Sequence, residues 1–334
     1  MLKPIRELAG VRPADLSKEL LTSTEPLVLR GLAAEWPLVQ AGRQSQRTAS
    51  EYLRRYYRGE KVIAMLGTPE IGGRFFYNED LSGFNFASVR TGLGGVLDEL
   101  EVHRSDTQPP AIYVGSTEID GCLPGLRAEN DLALGARQPY VSIWLGNQTR
   151  IAAHYDLPDN IACVAAGRRR FTLFPPEQLV NLYVGPLDFT PAGQAISLVD
   201  FAQPDFGKYP RFAEALKHAQ VAELGPGDAI FIPSLWWHYI ESLAPFNVLV
   251  NYWWRREPAW MDTPFHALFL AMMTVRDLPP EQRSAIRAMF DHYVFDATED
   301  KVAHIPKDAR RMLGAFDTDR ARELRAFLLQ RLNR

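Results

Sequence analysis

Cysteine is scarce in this sequence. There are two, Cys122 and Cys163, in 334 residues, which excludes a disulfide framework and fits a reducing cytosol, so a cytoplasmic location is the expectation. Long apolar runs are also missing. Nothing approaches the roughly 18 consecutive apolar residues of a membrane span, and Met1 to Gly10 lacks the apolar core of a signal peptide, so no membrane association is expected. Nor is there an excess of charge of either sign. The formal net charge is -3, too near neutral to suggest electrostatic binding of nucleic acid. The short clusters Arg168-Arg169-Arg170 and Arg310-Arg311 read first as solvated faces. No internal repeat and no low-complexity segment occurs.

What is present is ordinary for a globular chain with a full core: 46% apolar and 23% charged residues. The first 60 or so positions are mixed. A short helical segment starts at Pro13, and Glu25 to Gly31 reads as a strand closed by glycine. Trp36-Pro37 marks a turn. Ser50 is placed to cap a helix through Tyr52, Leu53, Tyr56 and Tyr57. Val62 to Leu66 and Arg74 to Tyr77 read as short strands, and a helix is predicted from Phe86 to Glu101.

From 111 to 254 the pattern changes to short β-type runs: 111–114, 140–145, 151–154, 161–165, 169–174, 221–224, 229–232, 236–243 and 247–254. Gly, Pro and Asn separate them. Many short strands without long intervening helices argue for an antiparallel sandwich or barrel, of which jelly rolls and cupins are one form. Residues 177–220 form a long insertion with a helix at 211–219. After Pro258 the apolar spacing becomes helical, at 265–273, 286–294 and 324–332, the last behind an Asp317-Thr318-Asp319 capping region. The expected organisation is an N-terminal α/β extension (1–110), a barrel (111–257) and a C-terminal helical region (258–334).

Within the barrel, His154-Tyr155-Asp156 places two ligand-type side chains two residues apart, on one face if the backbone is extended. His238 follows far downstream in Ile232-Pro233-Ser234-Leu235-Trp236-Trp237-His238, just after the turn Gly225-Pro226-Gly227-Asp228. His-x-Asp alone is a weak signal, and so is a lone histidine after two tryptophans. Two histidines and one aspartate on one side of a metal form the facial triad of non-haem Fe(II) oxygenases, which leaves coordination positions open. The other histidines, at 103, 218, 266, 292 and 304, have no matching partners.

Residues 140–254 resemble the JmjC and cupin-like family of 2-oxoglutarate oxygenases, and within it the asparaginyl-hydroxylase branch. The stretches that carry the likeness are His154-Tyr155-Asp156 with Asn160, the run from Gly167 to Pro176, Pro226-Gly227-Asp228, Ile232 to Leu243, and Val250-Asn251-Tyr252-Trp253. The resemblance implies a mainly β fold with added helices, a double-stranded β-helix of jelly-roll or cupin type. It implies Fe(II) held by His154, Asp156 and His238, with 2-oxoglutarate as cosubstrate and O₂ as co-reactant. Arg169 stands where the family usually has a lysine that grips the far carboxylate. Tyr113, Asn160 and Asn251 match cosubstrate contacts, and Trp253 an aromatic of the same pocket. Ile151 replaces a hydroxyl-bearing residue.

The chemistry of Arg169 is also sensible by itself. A dicarboxylate needs a buried cation, and a guanidinium binds a carboxylate bidentately. Arg169, Phe171 and Leu173 alternate with Arg168, Arg170 and Thr172, so Arg169 is predicted to face the apolar interior. The implied activity is hydroxylation of a peptide or protein side chain. The alternatives are an oxygenase of a small metabolite, a metal cupin isomerase or dioxygenase without 2-oxoglutarate, and a non-catalytic binding protein. The resemblance and the apolar C-terminal helices together predict a homodimer through 258–334.

Overall fold

The computed structural model describes residues 2–191 and 193–333. They divide into two compact units, one through Arg255 and one from Arg256. In the first unit the strands are β1 (Lys3–Pro4), β2 (Arg6–Ala9), β3 (Leu27–Arg30), β4 (Lys61–Gly67), β5 (Arg74–Phe75), β6 (Ala87–Gly92), β7 (Ala111–Glu118) and β8 (Tyr140–Gly146). They continue with β9 (Arg150–His154), β10 (Asp159–Ala166), β11 (Arg169–Phe174), β12 (Gln220–Leu224), β13 (Ala229–Ile232), β14 (Trp237–Ser242) and β15 (Asn247–Trp254). The helices are α1 (Pro37–Gln44), α2 (Gln46–Tyr56), α3 (Leu93–Val102), α4 (Ile119–Cys122) and α5 (Phe212–His218).

The strands form two sheets, six-stranded in the order β1-β12-β11-β14-β9-β5 and nine-stranded in the order β2-β3-β13-β10-β15-β8-β7-β4-β6. This is the expected mainly β, jelly-roll architecture. The pairing is antiparallel except where short N-terminal strands join: β1 on β12, β2 on β3 and β5 on β9 run parallel. The N-terminal strands are therefore part of both sheets, and the contacts divide the chain after Arg255 rather than at 110.

Alternation along β10 shows how the layers are built. Ile161, Cys163 and Ala165 pack on one side, in a core shared with Leu38 and Leu53 of α1 and α2 and Leu97 of α3. Ala162 and Val164 point to the other side, between the sheets, with Phe171, Leu173, Ile230 and Leu249. Burying each large side chain there contributes about 1.5–3 kcal/mol. The outer face of the six-stranded sheet is covered by the 177–220 insertion, where Leu182, Val199 and Phe212 meet Phe174, Trp237 and Tyr239.

Several local expectations are corrected. Trp36-Pro37 opens helix α1, with the proline in its first turn, where a missing N–H costs nothing. The cap of α2 is Ser45, whose hydroxyl accepts from Thr48 N–H, whereas Ser50 lies buried on the helix's inner face. The segment predicted as one helix from Phe86 splits. Residues 87–92 pair with β4 as an edge strand, and the helix begins only at Leu93 with Gly92 as its cap. Pairing with a preformed neighbour overrides a weak helical pattern.

The second unit holds α6 (Pro264–Thr274), α7 (Pro280–Phe290) and α8 (Thr318–Leu332). Asp317 caps α8 by accepting from Arg320 N–H. Trp260 stacks on Phe316 with ring centroids 5.7 Å apart. Among the described residues of this unit only Ala321 is buried. No helix among the described residues is long and apolar enough to cross a membrane.

Candidate metal centre and cosubstrate pocket

His154 closes β9, and His238 lies directly opposite it on β14. Their rings stand 4.2 Å apart between centroids. Each ring is fixed the same way: Nδ1 lies 2.9 Å from the carbonyl two residues earlier, Ala152 for His154 and Trp236 for His238. A carbonyl accepts only, so Nδ1 carries the hydrogen and Nε2 is left as the ligand nitrogen.

Asp156 completes the group, with Oδ2 3.5 Å from His238 Nε2. One ligand atom from each of the three residues lies within 4.8 Å of the others. The way Asp156 arrives differs from the sequence reading. Strand β9 ends at His154, so Asp156 is brought in by the following turn and not by strand alternation.

Protonation suits a cation. Burial, helped by nearby His238, pulls His154 down to about 4. Burial by itself would raise Asp156, but the neighbouring imidazoles of His238 and His154 keep it below the usual carboxylate range. A neutral imidazole beside an ionised carboxylate is the state in which such residues bind a divalent ion. The donor set fits the implied iron.

The three residues open on a cavity of about 440 Å³ that is also lined by Tyr113, Asn160, Arg169, Asn251 and Trp253. All the sequence-selected residues therefore face one space. Arg169 is 1% exposed, and its register is set at the β10–β11 turn. Gly167 takes φ +78 there, and any Cβ would meet the Phe246 carbonyl oxygen at 2.3 Å. The side chain of Asn247 then accepts from Arg168 N–H at 3.1 Å.

The outward neighbours Arg168 and Arg170 pair with Glu223 at 3.0 and 2.6 Å. Arg169 is different: its Nε and Nη2 have no hydrogen-bond partner. Burial lowers its pKa, opposed by the nearby Tyr113 phenol. Burial likewise pushes Tyr113 up to about 12, against the pull of Arg169. Asn251 Nδ2 donates to Asn160 Oδ1 at 3.0 Å, which leaves Asn251 Oδ1 unpartnered, along with the indole N–H of Trp253. Trp253 stacks on Tyr140 with ring planes 7° apart. Buried polar atoms are normally satisfied, so this cluster of orphans facing a cavity is the shape of a polar ligand's site, and a dicarboxylate matches its charge.

Sequence reasoning missed Phe75, Trp144, Gln194 and Ile196, which also line the cavity. Trp144 was within reach, because Tyr140, Ser142 and Trp144 alternate on one face of β8. Gln194 and Ile196 lie in the insertion, where no periodicity marks them.

A sequence profile described as a cupin-like domain matches residues 13–259. Among curated proteins, the lysine-specific demethylase JMJ31 of Arabidopsis thaliana is 36% identical over 118 residues, covering 34% of this chain and 21% of its own length. The tRNA wybutosine-synthesizing protein 5 of Danio rerio is 36% identical over 106 residues, covering 32% of this chain and 29% of its own length. The lysine-specific demethylase 8 of Xenopus tropicalis is 26% identical over 239 residues, covering 70% of this chain and 49% of its own length. The chain thus spans less than half the length of these curated relatives.

Proposed function

The chain belongs to the cupin-like domain family, and from that premise we propose that it is an Fe(II)- and 2-oxoglutarate-dependent oxygenase that hydroxylates a side chain of a peptide or protein. The observation that carries this reading is the buried, half-unpartnered guanidinium of Arg169 in the same cavity as His154, Asp156 and His238. A metal cupin that makes no use of a dicarboxylate has no need of such a charge, and an unpaired charge is costly inside a barrel.

When bound, the iron and 2-oxo acid would supply O₂-dependent oxidative decarboxylation to succinate and CO₂, coupled to insertion of oxygen into the substrate. The chain's own contribution is positional. His154, Asp156 and His238 would hold the metal through two imidazole nitrogens and one carboxylate oxygen. Arg169 receives the far carboxylate bidentately, and Tyr113 donates a further hydrogen bond to it. The Asn160–Asn251 pair and the Trp253 indole offer polar contacts along the same ligand. Phe171, Ile240 and Leu249 keep water out.

The names of two relatives raise demethylation of an N-methyl cation. Among the described residues, Asp156 is the one carboxylate in the cavity lining, so no second one is there to receive such a cation, which favours an uncharged target side chain. The finer likeness to asparaginyl hydroxylases rests on the ordered motifs of 154–176 and 226–254. The exposed apolar helices after Arg256 support a homodimer formed through that unit. The decisive experiment is anaerobic Fe(II) titration followed by conversion of 2-oxoglutarate to succinate in air without other substrate. Stoichiometric iron with slow succinate release is the expected result. Iron binding without any 2-oxoglutarate turnover refutes the oxygenase reading.

A further inference from the structure

Asp156 stands outside the ladder that aligns the two histidines, and its place is set by hydrogen bonds from the turn at 233–236. Residues 155–158 belong to no strand. Two hydrogen bonds reach this segment from the turn at 233–236, and a third reaches Asp159 at the start of β10. Leu235 N–H donates to the Asp156 carbonyl at 2.8 Å. The Ser234 hydroxyl donates to the Leu157 carbonyl at 2.5 Å. Ser234 N–H donates to Asp159 Oδ1 at 3.0 Å. The same turn ends in Trp236, whose carbonyl orients His238. One turn therefore governs both Asp156 and His238, while His154 is placed by its own strand.

The turn carries a mark of constraint. Leu235 adopts φ +65, a left-handed conformation that is uncommon for a non-glycine residue. Its side chain is 37% exposed, so close packing does not account for the conformation. What the conformation achieves is the aim of the N–H at Asp156. Beside it, the Ser234 hydroxyl is the one side-chain group of the turn that bonds to the backbone of the Asp156 segment.

We propose that Ser234 is a positioning residue for the metal centre, its hydroxyl holding the Asp156 segment at the distance from His238 that a shared cation requires. This rests on the reading of the triad as a metal site. A hydroxyl that merely stabilised a turn would be felt in the melting temperature and not in metal affinity. Groups that hydrogen-bond the ligating side chains directly are worth about 10–100-fold in affinity, and Ser234, which acts through the Leu157 carbonyl, is expected at the low end of that range.

The test is a Co(II) titration of the full chain, followed by the visible absorbance of the bound ion, beside thermal unfolding of the metal-free protein. The wild type is expected to take one Co(II), and His238→Ala to lose it. Ser234→Ala is expected to bind about tenfold more weakly, with a changed absorption spectrum and an unaltered metal-free melting temperature. Ser234→Thr, which keeps the hydroxyl, is expected to regain most of the affinity. Wild-type affinity and spectrum in Ser234→Ala overturn the proposal. So does a Ser234→Ala chain that melts early or fails to fold, since the hydroxyl is then structural. Failure of the wild type to bind Co(II) removes the metal reading itself, and is thereby told apart from failure of this inference alone.

Discussion

The two units treat the same kinds of residue in opposite ways. Before Arg255, Phe171, Phe231, Trp237 and Tyr252 are at most 1% exposed, and the buried polar side chains of Asn160, Arg169, His238 and Asn251 face one cavity. After Arg256, Phe269, Met273, Met289, Phe295, Phe327 and Leu329 are 40–74% exposed. Strand patterns are answered within the chain, because each strand's partner is another stretch of the same sheet. Helical patterns state only that a face is apolar, not what covers it. The first unit reads as a finished core with a site in it, and the second as a set of apolar helix faces, for which the proposed partner is a second copy of the chain.

Four experiments sharpen or break this contrast. The largest effect is expected at the metal centre, where His238→Ala should abolish stoichiometric Fe(II) binding with little loss of stability. Unchanged iron content, measured after anaerobic loading, would detach the triad from any metal. Next, Phe171→Ala should destabilise the first unit by about 3–5 kcal/mol, read from denaturant unfolding. A cost near zero would mean that the space between the sheets is not a close-packed core.

At the cosubstrate end, Arg169→Ala should weaken 2-oxoglutarate binding by roughly 2–5 kcal/mol, the range for truncating one partner of a buried charge pair. Arg168→Ala and Arg170→Ala, whose ion pairs with Glu223 are at the surface, should change it far less. Equal effects from all three in calorimetry would reduce the run to a solvated edge. The smallest effect on folding is expected from Phe327→Ala in the second unit, under about 0.5 kcal/mol, as for surface substitutions generally. Light scattering of the same variant at micromolar concentration should nonetheless show a shift from dimer toward monomer. A wild-type chain that is already monomeric there refutes the homodimer.

The sequence made the barrel legible strand by strand, because apolar alternation and Gly, Pro or Asn punctuation survive in a single chain. The inward turn of Arg169 followed from its alternation with Phe171 and Leu173, and the structure buries all three. The convergence of His154 and Asp156 was read for an insufficient reason. Extended geometry puts both on one face, but the strand stops at His154 and a turn does the rest. The helix expected from Phe86 failed because edge pairing with β4 is a tertiary fact. Gln194 and Ile196 were invisible because an irregular insertion has no period to betray which side chains turn inward.

The surroundings of β9 have a consequence for the growing chain. His238 on β14 lies across from His154, the short β5 covers part of the other edge, and Ser197 N–H donates to the Ala153 carbonyl at 2.7 Å. Synthesis delivers the His-x-Asp pair long before residues 237–242 exist, and until then the strand bearing it has only β5 and the insertion beside it. A nascent chain halted before His238 thus carries only two of the three ligands. The three-ligand group is complete only once β14 has been made and paired with β9, which puts the last step of site assembly late in synthesis.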